Sequence, residues 1–220
     1  MTLTRWRVLR LYNFPGSGNS YKLRLLLTQL GQPFERVDID LLGGETTTPR
    51  FRARNPLGQT PFIEFEDGRV LAESNAILWH LAEGTPYLAT DRWTRALAMQ
   101  WMSFEQYRIE PNIGTPRFWI KEAKIAEARR EQIAEKQKAG NAALAILDAH
   151  LAREPFVAGA RYGIADISLY AYSHIAEEGG YDLAPYRALR AWFERVRAEP
   201  RHVTFEAELG RVIPWPEARR

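Results

Sequence analysis

Residues 8–39, VLRLYNFPGSGNSYKLRLLLTQLGQPFERVDI, predict a strand, a helix and a second strand. Residues 8–12 form a short run rich in β-forming side chains, and residues 34–39 alternate between apolar and polar side chains. Between them, residues 20–30 carry leucines at helical spacing and end before Gly31, where a glycine commonly closes a helix. Because these elements follow one another within about 35 residues, we expect the two strands to be parallel.

The next part of the chain predicts a hairpin and another helix. Residues 61–65 read as a strand, and Asp67-Gly68 is a typical tight-turn pair, so residues 69–72 are expected to form the partner strand. Apolar side chains at helical spacing then predict a helix over 74–82. The element order βαβββα is complete at this point, which gives a first domain of residues 1–84.

Beyond residue 85 the pattern is helical and no good strand signal appears. We therefore expect an all-helical second domain over 91–220, after a boundary at 85–91. The predicted helices are one containing Trp93 to Phe104, then 117–138, 141–151, 164–176 and a last helix around 189–196 that stops at Pro200. The fold class is thus an α/β domain followed by an all-α domain.

Composition excludes several classes of function. Thirty Lys and Arg against 27 Asp and Glu give a net charge of only +3 over 220 residues, which is too small an excess for a dedicated nucleic-acid binder. No apolar run reaches the ~18 residues of a membrane span, and the N-terminus lacks the apolar stretch of a signal peptide. We expect a cytoplasmic protein with neither a nucleic acid nor a membrane as its partner.

The chain contains no cysteine, so it has no disulfide, no thiolate nucleophile and no cysteine metal site. Its four histidines are scattered without the spacing of metal ligands, and we expect no metal. If the protein carries out sulfur chemistry, the sulfur must come from a ligand.

Three loops contain candidate functional residues. In the first loop, Ser17 or Asn19 presents a hydrogen-bond donor at a helix N-terminus, which favours an anion such as a thiolate. The alternative is that the serine only caps the helix. In the second loop, a cis bond before Pro61 would turn the backbone of Thr60 towards a peptide-like ligand. The alternative is an ordinary trans proline at the start of a strand.

The third loop is Glu73-Ser74 at the start of a helix. Ser74 and the free N–H groups of the first turn suit a carboxylate, and Glu73 suits an ammonium. A ligand end that carries both charges would be an α-amino-acid group. The alternative is a plain helix start with an acidic residue at its positive end.

The segments NPLGQTP (55–61) and AESNAILWHLAE (72–83), with SGNSYKLRLLL (17–27) before them, resemble the glutathione S-transferase family over almost the whole chain. The likeness is to bacterial, serine-type members, either theta-like or nu-like. It implies a thioredoxin-like glutathione-binding domain, an all-helical domain that contributes the electrophile pocket, glutathione as co-substrate and a homodimer that serves in detoxification.

Under this resemblance, Pro61 would be the family's cis-proline and the backbone of Thr60 would hold the cysteinyl part of glutathione. Glu73 and Ser74 would hold the γ-glutamyl end, and Gln59 would also contact the tripeptide.

The resemblance also gives candidates for the activation of the thiol. Ser17 matches the catalytic serine, Asn19 is a second candidate, and Tyr12 is a weaker one. The absence of cysteine excludes the cysteine-dependent classes. The sequence departs from the family at Gly163, where a Ser or Thr usually caps the helix that contains Asp166; we expect Asp166 to be structural.

The second substrate is expected between the domains, where Pro111, Gly114 and Pro116 break the regularity of a helix and open space for a ligand. The candidate pocket residues are Phe104, Tyr107, Arg108, Phe118 and Trp119.

Three functions are compatible with this sequence. The first is a transferase that conjugates glutathione to a small hydrophobic electrophile. The second is a glutathione-dependent peroxidase or disulfide reductase, which the Ser-x-Asn arrangement at residues 17–19 keeps open. The third is a non-catalytic binding protein. The motifs at 59–61 and 73–74 argue against the third, since a protein without this ligand has no need of them.

Overall fold

The computed structural model describes residues 9–215, and its contacts divide them into two units. Residues 9–83 and 201–215 form the first unit, and residues 84–200 form the second. Val8, the predicted start of the first strand, lies outside the described residues.

The first unit contains a mixed five-stranded sheet in the order β4-β3-β1-β2-β5. Its strands are β1 (Leu9–Asn13), β2 (Glu35–Asp38), β3 (Phe62–Phe65), β4 (Val70–Ala72) and β5 (Arg211–Val212). Strands β1 and β2 are parallel, as predicted, and β3 runs antiparallel to both β1 and β4. Gly68 forms the predicted hairpin turn with a φ of 84°, a conformation that favours glycine.

The described part of this unit has three α-helices, α1 (Gly18–Leu30), α2 (Pro49–Arg52) and α3 (Ser74–Ala82), and a short 3-10 helix, Glu45–Thr47. The helix α1 begins two residues earlier than predicted, because Ser17 caps it. It ends at Gly31, as predicted, with this glycine in the left-handed conformation. On one face of the sheet, Phe51 of α2 packs with apolar side chains of the strands. This cluster consists of Tyr12, Val37, Ile39, Phe51 and Phe62.

The expectation of no strand beyond residue 85 was wrong. The strand β5 pairs in parallel with β2, with Arg211 opposite Glu35, and Ile213 N donates to the carbonyl of Arg36 at 2.9 Å. Residues 201–215 therefore pack with the first unit, although they were assigned to the helical domain. A strand of two residues is too short to show an alternating pattern, and its formation depends on the exposed edge of β2.

The second unit is helical. Its α-helices are α4 (Arg92–Phe104), α5 (Thr115–Arg117), α6 (Arg130–Leu151), α7 (Ile164–Ser173) and α8 (Arg187–Arg197). The segments Glu105–Gly114 and Phe118–Glu122 continue the helix in π geometry. Pro111 thus disturbs the regular α-helical pattern, as predicted, but the chain remains helical through it.

Two predicted helix boundaries differ from the structure. Residues 117–138 are not one helix: the chain turns at Lys124, which has a φ of 54°. The predicted break between residues 138 and 141 is absent, because α6 runs without interruption through Gly140. In the charged first half of α6 only Ile133 and Gly140 are buried, whereas Ala143, Leu144, Leu147 and Leu151 are buried in its second half.

Asp166 is structural, as expected from its position at the start of α7. Its buried carboxylate accepts hydrogen bonds from Val157 N at 2.9 Å, Gly163 N at 3.0 Å and Trp192 Nε1 at 2.9 Å. Burial raises the pKa of Asp166 to about 7, and these three donors oppose that shift. The departure at Gly163 has a steric reason: a Cβ there would lie 2.8 Å from the carbonyl oxygen of Tyr87.

Candidate active site

Ser17 lies at the N-terminus of α1, where the first loop meets the helix. Its Oγ accepts the N–H of Ser20 at 3.2 Å, so the capping interpretation is correct. Capping occupies only an acceptor position of the hydroxyl, which can donate its proton at the same time. Within residues 9–215 the hydroxyl of Ser17 donates no hydrogen bond. Because the side chain is half-buried and not fully enclosed, this hydroxyl can donate its proton to a ligand.

The first loop is held in place by a buried arginine. Arg24 donates to Asn13 Oδ1 at 2.6 Å and to the carbonyls of Phe205 at 2.9 Å and Pro15 at 3.4 Å. Burial lowers the pKa of Arg24 to about 10, which leaves the guanidinium charged at neutral pH. These bonds tie the end of β1, the loop and the C-terminal segment to one side chain of α1, and they fix the loop that carries Ser17.

Asn19 is connected to the third loop. The hydroxyl of Ser74 donates to Asn19 Oδ1 at 3.2 Å, so the N-termini of α1 and α3 meet at these two side chains. The carboxamide oxygen of Asn19 is thus committed to Ser74, whereas the hydroxyl proton of Ser17 is not committed to an acceptor. The donor group of Asn19 is its Nδ2 amide, which this bond does not use, so Ser17 and Asn19 both stay predictions for the donor to a sulfur atom.

Tyr12 is a weak candidate for thiol activation. Its ring is fully buried and stacks on Phe62, with the ring centroids 4.1 Å apart. Its hydroxyl donates to Glu64 Oε2 at 2.6 Å. Burial, with Glu64 as the next cause, raises the pKa of Tyr12 well above its usual range. The burial of this hydroxyl and its bond to Glu64 argue against Tyr12 as the activating residue.

The second loop ends in a cis peptide bond between Thr60 and Pro61. Thr60 precedes β3, so its backbone lies outside the sheet pairing, which begins at Phe62. Gln59 is exposed, and its carbonyl accepts a bond from Asn55 Nδ2 at 2.8 Å. The buried Asn55 therefore holds the loop, and the sequence analysis did not identify it.

Glu73 and Ser74 form the start of α3. Glu73 is exposed and has a φ of 67° and a ψ of 110°, a conformation that side-chain-bearing residues rarely adopt. Its side chain does not cap the helix, and Ser74, the first helical residue, is 5% exposed. Backbone strain of this kind is common at ligand-binding positions.

Lys22 is a buried residue at this place that the sequence analysis missed. It is 0% exposed, and its Nζ lies 3.4 Å from Ser74 Oγ and 3.4 Å from Asn75 Oδ1. The sequence feature that could have identified Lys22 is its position among the leucines of α1. A charged group in a largely buried helix needs polar partners, so such a lysine points to a polar site nearby.

The predicted second-substrate residues all lie in the second unit. Trp119 lines a cavity of about 460 Å³, whose other lining residues are Asn112, Arg129, Gln132, Glu135 and Lys136. Phe104 packs edge-on against Trp101, and Tyr107 is 79% exposed. Arg108 is exposed and Phe118 is half-buried, and neither lines this cavity.

The described residues, 9–215, also limit which other kinds of site the chain can form. No helix in this range is long and apolar enough to cross a membrane. The same residues contain no group of three or more His, Asp or Glu side chains placed to hold a metal ion.

Solved structures similar to this chain include two from Pseudomonas fluorescens Pf-5. A glutathione S-transferase is 45% identical, with a TM-score of 0.87, over 90% of this chain and 98% of the other. A glutathione transferase family member with two glutathione bound is 25% identical, with a TM-score of 0.75, over 91% of this chain and 92% of the other.

Curated relatives of similar length include glutathione S-transferase 3 of Zea mays, which is 30% identical over 209 residues, 87% of this chain and 90% of that protein. The disulfide-bond oxidoreductase YfcG of Escherichia coli (strain K12) is 28% identical over 208 residues, 90% of this chain and 95% of that protein.

Family models agree with the fold and with these relatives. The model of the glutathione S-transferase N-terminal domain matches residues 7–83, and that of the C-terminal domain matches residues 99–200. The thioredoxin-like first domain and the helical second domain are thereby confirmed. The chain belongs to the glutathione S-transferase family.

Proposed function

We propose that this protein is a glutathione transferase that binds glutathione in the first unit and activates its thiol for attack on a small hydrophobic electrophile. The observation that carries the proposal is the hydroxyl of Ser17, which caps α1 and retains a proton to donate. The glutathione bound to a relative of 25% identity supports the choice of ligand.

In this proposal the tripeptide lies across the second and third loops. The backbone of Thr60, outside the sheet pairing and next to the cis bond to Pro61, takes the cysteinyl part. Ser74 and the first-turn N–H groups of α3 take the γ-glutamyl carboxylate, Glu73 takes its ammonium, and Gln59 adds a polar contact.

Ser17 acts on the acidity of the sulfur. A free thiol has a pKa near ~8.5, so only a few per cent is thiolate at pH 7. Lowering this pKa by ~2 units requires ~2.7 kcal/mol of preferential stabilisation of the thiolate. A charge-assisted hydrogen bond from Ser17, together with the positive end of α1, is of this size. The thiolate then forms a C–S bond as the leaving group departs from carbon.

The second substrate is proposed to bind near Phe104, Tyr107, Arg108, Phe118 and Trp119, and Trp119 with its cavity is the best-supported of these residues. The homodimer and the cytoplasmic location remain predictions that the family resemblance supports.

The replacement Ser17→Ala tests the proposal. We expect nearly unchanged affinity for glutathione, a higher pKa of the bound thiol and at least about tenfold lower turnover, because one hydrogen bond to the thiolate is lost. The thiol pKa is read from the ultraviolet absorbance of bound glutathione thiolate across a pH series.

Thr48→Ala is the matched control. Thr48 caps α2 in the same unit through its hydroxyl, at 3.2 Å from Phe51 N, and α2 has no proposed part in thiol activation. Thr48→Ala should lower the free energy of unfolding by about as much as Ser17→Ala, because each removes one helix cap, and it should keep the thiol pKa of the wild type. Unchanged turnover in Ser17→Ala would contradict the role of this serine and transfer it to Asn19.

A second candidate is a glutathione-dependent disulfide reductase, which the similarity to the oxidoreductase of Escherichia coli favours. In this reaction two glutathione molecules become glutathione disulfide while the substrate disulfide is reduced. A panel of organic halides, hydroperoxides and mixed disulfides separates the candidates. Turnover of mixed disulfides without conjugation of any halide would establish the second candidate in place of the first.

A further inference from the structure

Lys22 places a buried ammonium group at the N-terminus of α3. The side chain is 0% exposed, and its Nζ lies 3.4 Å from both Ser74 Oγ and Asn75 Oδ1. An ammonium group is expensive to remove from water, and these contacts place it at the helix end that the proposed function assigns to the γ-glutamyl group.

The surroundings of Lys22 suit an anion. The first turn of a helix presents N–H groups and the positive end of the helix dipole, and the N-cap residue Glu73 contributes no side-chain cap. Lys22 adds its amino group at 3.4 Å from the side chains of Ser74 and Asn75, the first two residues of this turn. The ammonium itself stays below the surface, where it can act on a ligand through Ser74.

The contacts of Ser74 show how this action would occur. Lys22 Nζ donates to Ser74 Oγ, so the hydroxyl must direct its own proton elsewhere, and in this structure it donates to Asn19 Oδ1 at 3.2 Å. The ammonium therefore orients the hydroxyl as a donor and polarises its O–H bond.

We propose that Lys22 is a positioning residue for the α-carboxylate of the γ-glutamyl end of glutathione. The inference rests on the proposed function, because it concerns the same ligand. Ser74 contacts the carboxylate, and Lys22 orients Ser74 and offsets the negative charge. The charge of Lys22 makes the site select ligands that carry this carboxylate.

The test compares two ligands on two proteins. Glutathione is compared with γ-aminobutyryl-cysteinyl-glycine, which keeps the amino group and the thiol and lacks only the α-carboxylate. Calorimetry gives the Kd of each ligand for the wild type and for Lys22→Met, a replacement of similar length without charge.

We expect Lys22→Met to raise the Kd of glutathione about tenfold and to change the Kd of the analogue less than twofold. Turnover at saturating glutathione should be unchanged, while the KM for glutathione rises. Lys138→Met is the control: Lys138 is an exposed residue of α6 in the second unit, and its loss should change neither Kd.

Equal weakening of both ligands would assign Lys22 a general structural role and overturn the inference, as would unchanged affinity for both. If Lys22→Met does not fold, Lys22→Gln, which keeps a donor and removes the charge, is judged by the same criterion. A wild-type protein that binds neither ligand would overturn the proposed function and the inference together. A wild type that binds glutathione, with no selective loss in the variant, would overturn the inference alone.

Discussion

The strained backbone of Glu73 lowers stability, whereas its side chain is proposed to bind the ligand. Its φ of 67° and ψ of 110° cost of order 1–3 kcal/mol for a residue with a side chain. Its side chain makes no capping bond that would offset this cost within the helix. A glycine would adopt the same backbone conformation without strain.

We expect Glu73→Gly to raise the free energy of unfolding by about 1 kcal/mol, because the relief of strain exceeds the entropic cost of a glycine. The same variant should bind glutathione more weakly, since it lacks the carboxylate proposed to hold the ammonium. Urea unfolding and calorimetric titration measure the two effects.

Glu73→Gln separates these two causes. It keeps the strained backbone and removes only the charge, so it should weaken binding without a gain in stability. A loss of stability in Glu73→Gly would show that the backbone conformation is not strained.

The residues of the candidate site differ in how well the sequence predicts them. Ser17, Glu73 and Ser74 stand at helix starts, which local sequence signals mark, and a short window is enough to find them. Lys22 could not be placed in this way. Its burial depends on α3, which begins 52 residues later in the chain.

Long-range packing explains the features of helices and strands that the sequence did not predict. The helix α1 was predicted from one row of leucines, yet ten of its 13 residues are buried in the structure. The two-residue strand β5 has no pattern of its own and forms on the edge of β2. Apart from α6, which begins well before the predicted 141–151, the strands and helices with a clear period were predicted to within a few residues, because that pattern is local.

The helix α7 offers a prediction about pH. Burial raises the pKa of Asp166 to about 7, whereas an aspartate in an unfolded chain has a pKa of about 3.9. Between these values the unfolded chain has released a proton that the folded protein still holds. The free energy of unfolding should therefore fall as pH rises from about 4 to about 7, by up to about 1.4 kcal/mol per pH unit from this group.

Asp166→Asn should remove this contribution, whatever its effect on absolute stability. Urea unfolding across the pH window measures the slopes for the wild type and the variant. Identical slopes would mean that Asp166 is ionised throughout the window in the folded protein.

The C-terminal segment, residues 201–215, completes the first unit. Tyr21 donates its hydroxyl to the carbonyl of Val203 at 2.8 Å, and Arg24 donates to that of Phe205 at 2.9 Å. The indole of Trp215 packs edge-on against the ring of Tyr12, with the two ring centroids 5.0 Å apart. The Cζ atom of Arg50 lies 5.1 Å from the centroid of the same indole.

Removal of the Trp215 indole should lower the free energy of unfolding of the first unit by about 2 kcal/mol, because the ring fills space beside Tyr12 and Phe51. Trp93→Ala is the matched control, since Trp93 is 72% exposed, and it should change stability by no more than about 0.5 kcal/mol. Urea unfolding followed by circular dichroism measures both. If both replacements changed the free energy of unfolding equally, the packing of Trp215 would contribute little to the stability of the first unit.

The return of the chain to the first unit has a consequence for synthesis on the ribosome. Residues 9–83 leave the exit tunnel while the fifth strand of their sheet is still untranslated, and the whole second unit must be made before that strand. At roughly 5–20 residues per second, the wait is on the order of ten seconds. Throughout this interval the outer edge of β2 lacks its neighbour, and the nascent chain is open to pairing with other nascent chains.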